Sequence, residues 1–106
     1  MCGIAGLYGH GDPGGRVDER VLARMARSLA HRGPDGEGFF VDGALGLAHR
    51  RLSIVDLTPT GAQPMATEAG DAVITYNGEL YNHLEFRPLL EAKGVRFRGT
   101  SDTETL

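Results

Sequence analysis

The sequence predicts a domain of mixed α and β elements that includes a β-hairpin. Three observations carry that expectation. Val17, Val21, Leu22, Met25 and Leu29 recur at helical spacing, with Arg20, Arg24 and Arg27 on the other side. Two apolar runs, residues 39–41 and 45–52, are joined by Asp42-Gly43, which is hairpin turn chemistry. Sixteen glycines in 106 residues are about twice the usual share of roughly 7%; spread between apolar stretches, they point to many tight turns.

In chain order, residues 3–8 form a short apolar run with Ile4, Leu7 and Tyr8 and read as a buried strand. Residues 9–15 hold four glycines and Pro13, a loop. Asp18 is placed to cap the first helix, and residues 31–33 end it before Pro34. Pro34-Asp35-Gly36 is a turn, because proline sets φ and aspartate and glycine tolerate the dihedrals that complete it. Residues 59–64 read as a loop and 72–76 as a strand, with Asn77-Gly78 directly after it. Asn82 with Glu85 suggests a helix cap. Pro88 conflicts with a regular helix there, so either the helix starts near Arg87 or residues 83–87 form a separate turn. Residues 95–98 are a weak last strand. Ser101-Asp102-Thr103-Glu104 looks like a helix start that Asp102 could cap, yet the chain stops at Leu106, and a fragment is expected.

One domain, or part of one, is all this length accommodates. A net charge of −3 and a pI near 5.7 argue against a nucleic-acid or anionic-membrane surface. No apolar run approaches the roughly 20 residues of a membrane span, and the N-terminus lacks signal-peptide character. A lone cysteine forms no intrachain disulfide. These features together lead to the expectation of a cytoplasmic protein. The four histidines do not fall at i, i+4 spacing and no C-x-x-C exists, so a metal site is not expected. No G-x-x-x-x-G-K-[ST] phosphate loop occurs either.

Cys2 follows the initiator methionine, which cells remove readily before a small residue. The mature chain would then carry a thiol and a free α-amino group on one residue, and the amine could serve as base for its own side chain. The bland alternative is a small apolar residue; the small residues Gly3 and Gly6 leave room for a close approach to it. Gly9-His10-Gly11-Asp12-Pro13-Gly14 matches G-x-G-x-x-G, but Pro13 and Gly15 delay the helix, and a flexible loop is the better reading than a dinucleotide fingerprint. Asn77-Gly78 reads equally as a hairpin turn or as an oxyanion hole, an amide side chain and an unshielded N–H aimed at one oxygen. Arg50-Arg51 and Asp102 are ordinary surface charges or a grip on an amino-acid zwitterion, with Glu79 assisting.

Five stretches together resemble the glutaminase domain of glutamine-dependent asparagine synthetases, a class II glutamine amidotransferase of the N-terminal-nucleophile type. They are Met1-Cys2-Gly3-Ile4-Ala5-Gly6, His31-Arg32-Gly33-Pro34-Asp35-Gly36, and His49-Arg50-Arg51-Leu52-Ser53-Ile54-Val55-Asp56, then Tyr76-Asn77-Gly78-Glu79-Leu80-Tyr81-Asn82 and Ser101-Asp102-Thr103-Glu104. The resemblance implies an α+β fold, a partial αββα sandwich of antiparallel sheets spanning residues 2–106. The rest of that domain and the synthetase domain would lie outside the chain. It further implies that Cys2 attacks the side-chain amide of glutamine and that Asn77 and Gly78 stabilise the oxyanion. Arg51 would pair with the substrate α-carboxylate, Asp102 and Glu79 would hold the α-ammonium, and Leu52, Ile54 and Val55 would line the pocket. No cofactor is implied for this chain; ATP and magnesium belong to the absent synthetase domain, where ammonia would convert aspartate to asparagine. A sugar or peptide acceptor is the alternative within the class, and a homodimer is left open. The 106 residues alone are expected to fold poorly and to hydrolyse glutamine weakly or not at all, since missing strands would leave sheet edges unpaired.

Overall fold

Leu22 and Ala26 lie one helical turn apart and are fully buried, while Arg20, Arg24 and Arg27 are exposed. That stripe fixes how the first helix meets the sheet. In the computed structural model, which describes residues 1–9 and 14–106, helix α1 (Glu19–Ser28) starts where the sequence predicts, with the Asp18 side chain accepting from the Arg20 N–H at 2.9 Å. The helix covers one face of a three-stranded antiparallel sheet of β1 (Gly3–Tyr8), β2 (Gly36–Asp42) and β3 (Leu45–Arg51), ordered β1-β3-β2. The core between them is Val17, Leu22, Ala26 and Ala48, with Ala5, Leu7 and Val41 against it. Gly46 permits the close approach: a Cβ there would stand 2.9 Å from Val17 Cγ1 and 3.0 Å from Leu22 Cδ2.

The β2–β3 hairpin is the one predicted, turning at Gly43 with φ +54°. Strand β1 pairs antiparallel with β3, Gly3 opposite Arg50 and Tyr8 opposite Leu45. This pairing overturns the dinucleotide-binding alternative, which requires a parallel strand–helix–strand crossover; the glycine fingerprint itself falls on residues 10–13, outside the described residues. The expectation that β1 is buried needs correction as well. It is an edge strand, with Gly3, Ala5 and Leu7 turned to α1 while Ile4 and Tyr8 are exposed.

Past β3 the chain is held less by backbone ladders and more by side chains. A 3-10 turn, Pro59–Gly61, precedes a two-stranded antiparallel sheet of β4 (Met65–Ala66) and β5 (Val73–Ile74). The strand expected over residues 72–76 is therefore only two residues long. Asn77-Gly78 does not make a hairpin turn, because the next element is helix α2 (His83–Glu91). Asn82 is the N-cap position, but its side chain makes no cap bond. Pro88 lies inside α2 rather than ending or starting it. Leu84 and Pro88 are both exposed, so the carbonyl that loses its partner lies on the solvent side. Residues 95–98 form no strand; Gly94 (φ +92°) closes α2, with the Val95 N–H donating back to the Leu90 carbonyl at 3.1 Å.

Arg87 organises the segment after α2. Its guanidinium donates to Thr105 Oγ1 at 3.2 Å, to the Gly99 carbonyl at 2.7 Å and to the Ser101 carbonyl at 2.7 Å, and lies 4.2 Å from the Phe97 ring centroid. Helix α3 (Asp102–Thr105) is capped by the Ser101 side chain, not by Asp102 as expected. No helix among the described residues is long and apolar enough to cross a membrane.

Candidate functional site

Cys2 sits one residue before β1, on the sheet face opposite α1. Its sulfur meets the backbone just past β3: the Leu52 N–H donates to Sγ at 3.3 Å, and the thiol faces the Leu52 carbonyl at 3.6 Å. The Cys2 carbonyl accepts from Arg32 Nε at 3.1 Å. Met1 is 75% exposed.

The stretch from Arg32 to Asp35 builds the wall behind this pair. Gly33 is buried against the Arg50-Arg51 backbone so closely that a Cβ would collide with the Arg50 carbonyl. Its own carbonyl accepts from Arg50 Nε at 3.1 Å. The Asp35 N–H donates to the Arg51 carbonyl at 2.9 Å, and Asp35 Oδ2 accepts the Ser53 N–H at 2.8 Å. Strand end and loop are thus held from both sides.

Around Cys2 lies a small cavity of about 50 Å³. Its lining includes Arg51, Leu52, Ile54 and Val55 from the stretch after β3, Gln63, Tyr76, Gly78 and Glu79 from the middle of the chain, and Ser101, Asp102 and Thr103 from the last segment. Arg51 donates to the Thr58 carbonyl at 2.7 Å and to the Asp56 carbonyl, so its guanidinium also holds the loop it borders. Arg50 takes no part in the cavity lining and pairs with Glu37 at 2.6 Å. Asp102 is buried; Oδ2 accepts the Leu80 N–H at 2.8 Å and Oδ1 the Thr103 N–H at 2.9 Å. Arg51 and the carboxylates of Asp56, Glu79 and Asp102 therefore border one cavity together with a thiol, a layout that suits a zwitterionic amino acid.

Asp56, also on the cavity lining, is a buried hub. It accepts from the Thr58 N–H (2.8 Å) and hydroxyl (2.6 Å), the Thr60 hydroxyl (2.9 Å) and the Thr100 N–H (3.1 Å), tying the loop to the Asp102 segment. The Thr58 hydroxyl and N–H hold its carboxyl far below the ordinary range, with smaller contributions from Thr60 and Thr100, against the opposing effect of burial.

All 106 residues match the model of the glutamine amidotransferase domain family. The chain belongs to that family. It is 42% identical over 107 residues to asparagine synthetase [glutamine-hydrolyzing] 1 of Bacillus subtilis (strain 168), covering 100% of this chain and 17% of that protein. Against asparagine synthetase [glutamine-hydrolyzing] 1 of Arabidopsis thaliana it is 42% identical over 106 residues, covering 100% and 18%. Against asparagine synthetase [glutamine-hydrolyzing] 2 of Bacillus subtilis it is 40% identical over 109 residues, covering 100% and 14%. The chain spans less than a fifth of the length of these relatives.

In this glutamine amidotransferase domain, eight of the nine residues singled out from sequence line one cavity: Cys2, Arg51, Leu52, Ile54, Val55, Gly78, Glu79 and Asp102. The ninth, Asn77, adjoins it through Gly78 but is not on its wall. Sequence patterns assigned no part to His49, Asp56, Gln63 or Tyr76. Three of them lie inside the family's motif stretches, and Gln63 sits in a segment that reads only as a loop. Among the described residues, no three His, Cys, Asp or Glu gather to hold a metal ion.

Proposed function

We propose that this domain hydrolyses glutamine to glutamate and ammonia, with Cys2 as the nucleophile. The observation that carries the reading is the thiol's place in one cavity with Arg51, Glu79 and Asp102. Arg51 receives the α-carboxylate, its free donors complementing those committed to the loop. Asp102 and Glu79 accept from the α-ammonium, while Leu52, Ile54 and Val55 flank the side chain.

With Met1 removed, the Cys2 amine takes the thiol proton as sulfur bonds to the carboxamide carbon. The oxygen becomes an oxyanion stabilised by the Gly78 N–H on the cavity wall and, once substrate is seated, by the adjoining Asn77 amide. Collapse breaks the C–N bond, and the amine passes its proton to the departing nitrogen, releasing ammonia and leaving a glutamyl thioester. Water, deprotonated by the same amine, cleaves the thioester and restores the thiol.

The names of the relatives support asparagine as the final product; an ATP- and magnesium-dependent synthetase unit using the ammonia, and a cytoplasmic location, complete the reading as part of the same proposal. Replacing the sulfur tests the core of the reading. Cys2→Ala in the intact protein should lower glutamine-dependent ammonia release by at least about a thousandfold. An unaffected rate would refute it.

A further inference from the structure

His49 is 1% exposed and lies on β3 opposite Ile4 of β1, on the sheet face that carries the cavity. Its Nε2 stands 3.3 Å from the Tyr76 carbonyl oxygen. A carbonyl only accepts, so Nε2 carries the proton and His49 is the donor. Burial pushes the ring's pKa down, with the Tyr76 contact opposing and the nearby Arg51 charge acting with burial. Nδ1 is buried with no hydrogen-bond partner among the described residues. An apolar side chain would fill this place without that desolvation cost, so packing alone does not account for a histidine.

The other backbone group of Tyr76 is held too. Its N–H donates to Gln63 Oε1 at 2.6 Å, and Gln63 Nε2 donates to Thr103 Oγ1 at 3.0 Å, next to Asp102. Gln63 is itself pressed against the sheet, since a Cβ on Gly38 would collide with its carbonyl. The tip of the Tyr76 ring lies against Gly78, where a Cβ would come within 2.5 Å of the hydroxyl. The Tyr76 carbonyl and the Asn77 N–H share one rigid peptide plane. Fixing the carbonyl therefore fixes how the chain enters Asn77-Gly78.

We propose that His49 and Gln63 clamp the two backbone groups of Tyr76 and so aim the Asn77-Gly78 donors at the oxygen of the tetrahedral intermediate. Both are positioning residues, and the proposal rests on the glutamine-hydrolysis reading above. A donor displaced from a developing charge weakens transition-state binding and leaves ground-state binding intact.

The test compares His49→Phe and His49→Gln with the parent in the intact protein. His49→Phe should lower kcat for glutamine hydrolysis about 10- to 100-fold with KM changed less than about threefold. The aldehyde analogue of glutamine, which forms a tetrahedral adduct on the thiol, should lose affinity by the same factor as kcat. Alkylation of Cys2 by iodoacetamide, which needs no oxyanion site, should keep its parent rate. His49→Gln retains an N–H donor and should recover most of kcat. Parent kcat in His49→Phe overturns the clamp, as does a loss shared equally by KM, alkylation and aldehyde binding. Should His49→Phe fail to melt cooperatively, Gln63→Met takes over, and parent kcat there overturns the clamp. Failure of the hydrolysis reading shows separately, as parent protein whose ammonia release survives Cys2→Ala.

Discussion

The Leu52 N–H donates to the Cys2 sulfur across 3.3 Å, a contact between residues fifty positions apart. It holds only while the end of β3 stays where Gly33 lets it lie. Gly33→Ala would force the Arg50-Arg51 backbone outward, costing about 1–3 kcal/mol through overpacking. Thermal melting of the intact protein should show that loss together with reduced ammonia release. An unchanged melting temperature would contradict this account of the wall behind Cys2.

Arg51 has two tasks, and one substitution separates them. Its guanidinium holds the Thr58 and Asp56 carbonyls as well as bordering the cavity. A lysine has neither the fork nor the reach for both. Arg51→Lys should raise KM for glutamine about tenfold or more, the size of one lost charge-assisted hydrogen bond, and also lower the melting temperature. A rise in KM with unaltered melting would remove the loop-holding task.

Asp56 should make the stability of the domain acid-sensitive. Its folded pKa is depressed below the ordinary value of 3.8, so the unfolded chain binds its proton more readily. The stability it contributes is fully present above that value and is lost as pH falls through it toward the folded pKa. Denaturant titrations from neutral pH to about pH 2.5 should show the parent losing stability below about pH 4. Asp56→Asn should be less stable at neutral pH and flatter with acid. Parallel curves would show that the carboxylate does not carry this dependence.

Arg87 anchors the segment that carries Asp102. It holds the Gly99 and Ser101 carbonyls and Thr105 Oγ1, and Asp102 lies among these residues. Arg87→Met keeps the stem but abandons three acceptors, which should cost about 1–3 kcal/mol and weaken glutamine binding, read as a higher KM. Parent values of both would contradict the anchor.

Local chemistry made the first half of the chain legible. The helical stripe from Val21 to Leu29, the Asp18 cap and the glycine turn of the hairpin each encode their element within a few residues. The second half was harder because its structure is tertiary. Met65–Ala66 is a strand only because Val73–Ile74 pairs with it, and residues 97–101 take their course from Arg87 rather than from a ladder. The site divides the same way. Cys2, Arg51, Gly78 and Asp102 stood out by residue type and by family motif. Asp35, His49, Asp56 and Gln63 act through bonds reaching 13 to 44 positions along the chain, and no pattern within a single stretch announces such partners.

The central claim is that a bared Cys2 does the attacking. Intact-mass and peptide mapping of active protein treated with a diazoketone analogue of glutamine measures this directly. The account predicts a chain without Met1, one adduct on Cys2, and ammonia release lost in step with labelling. Met1 still attached to protein of full activity, or an adduct on another residue, would contradict it.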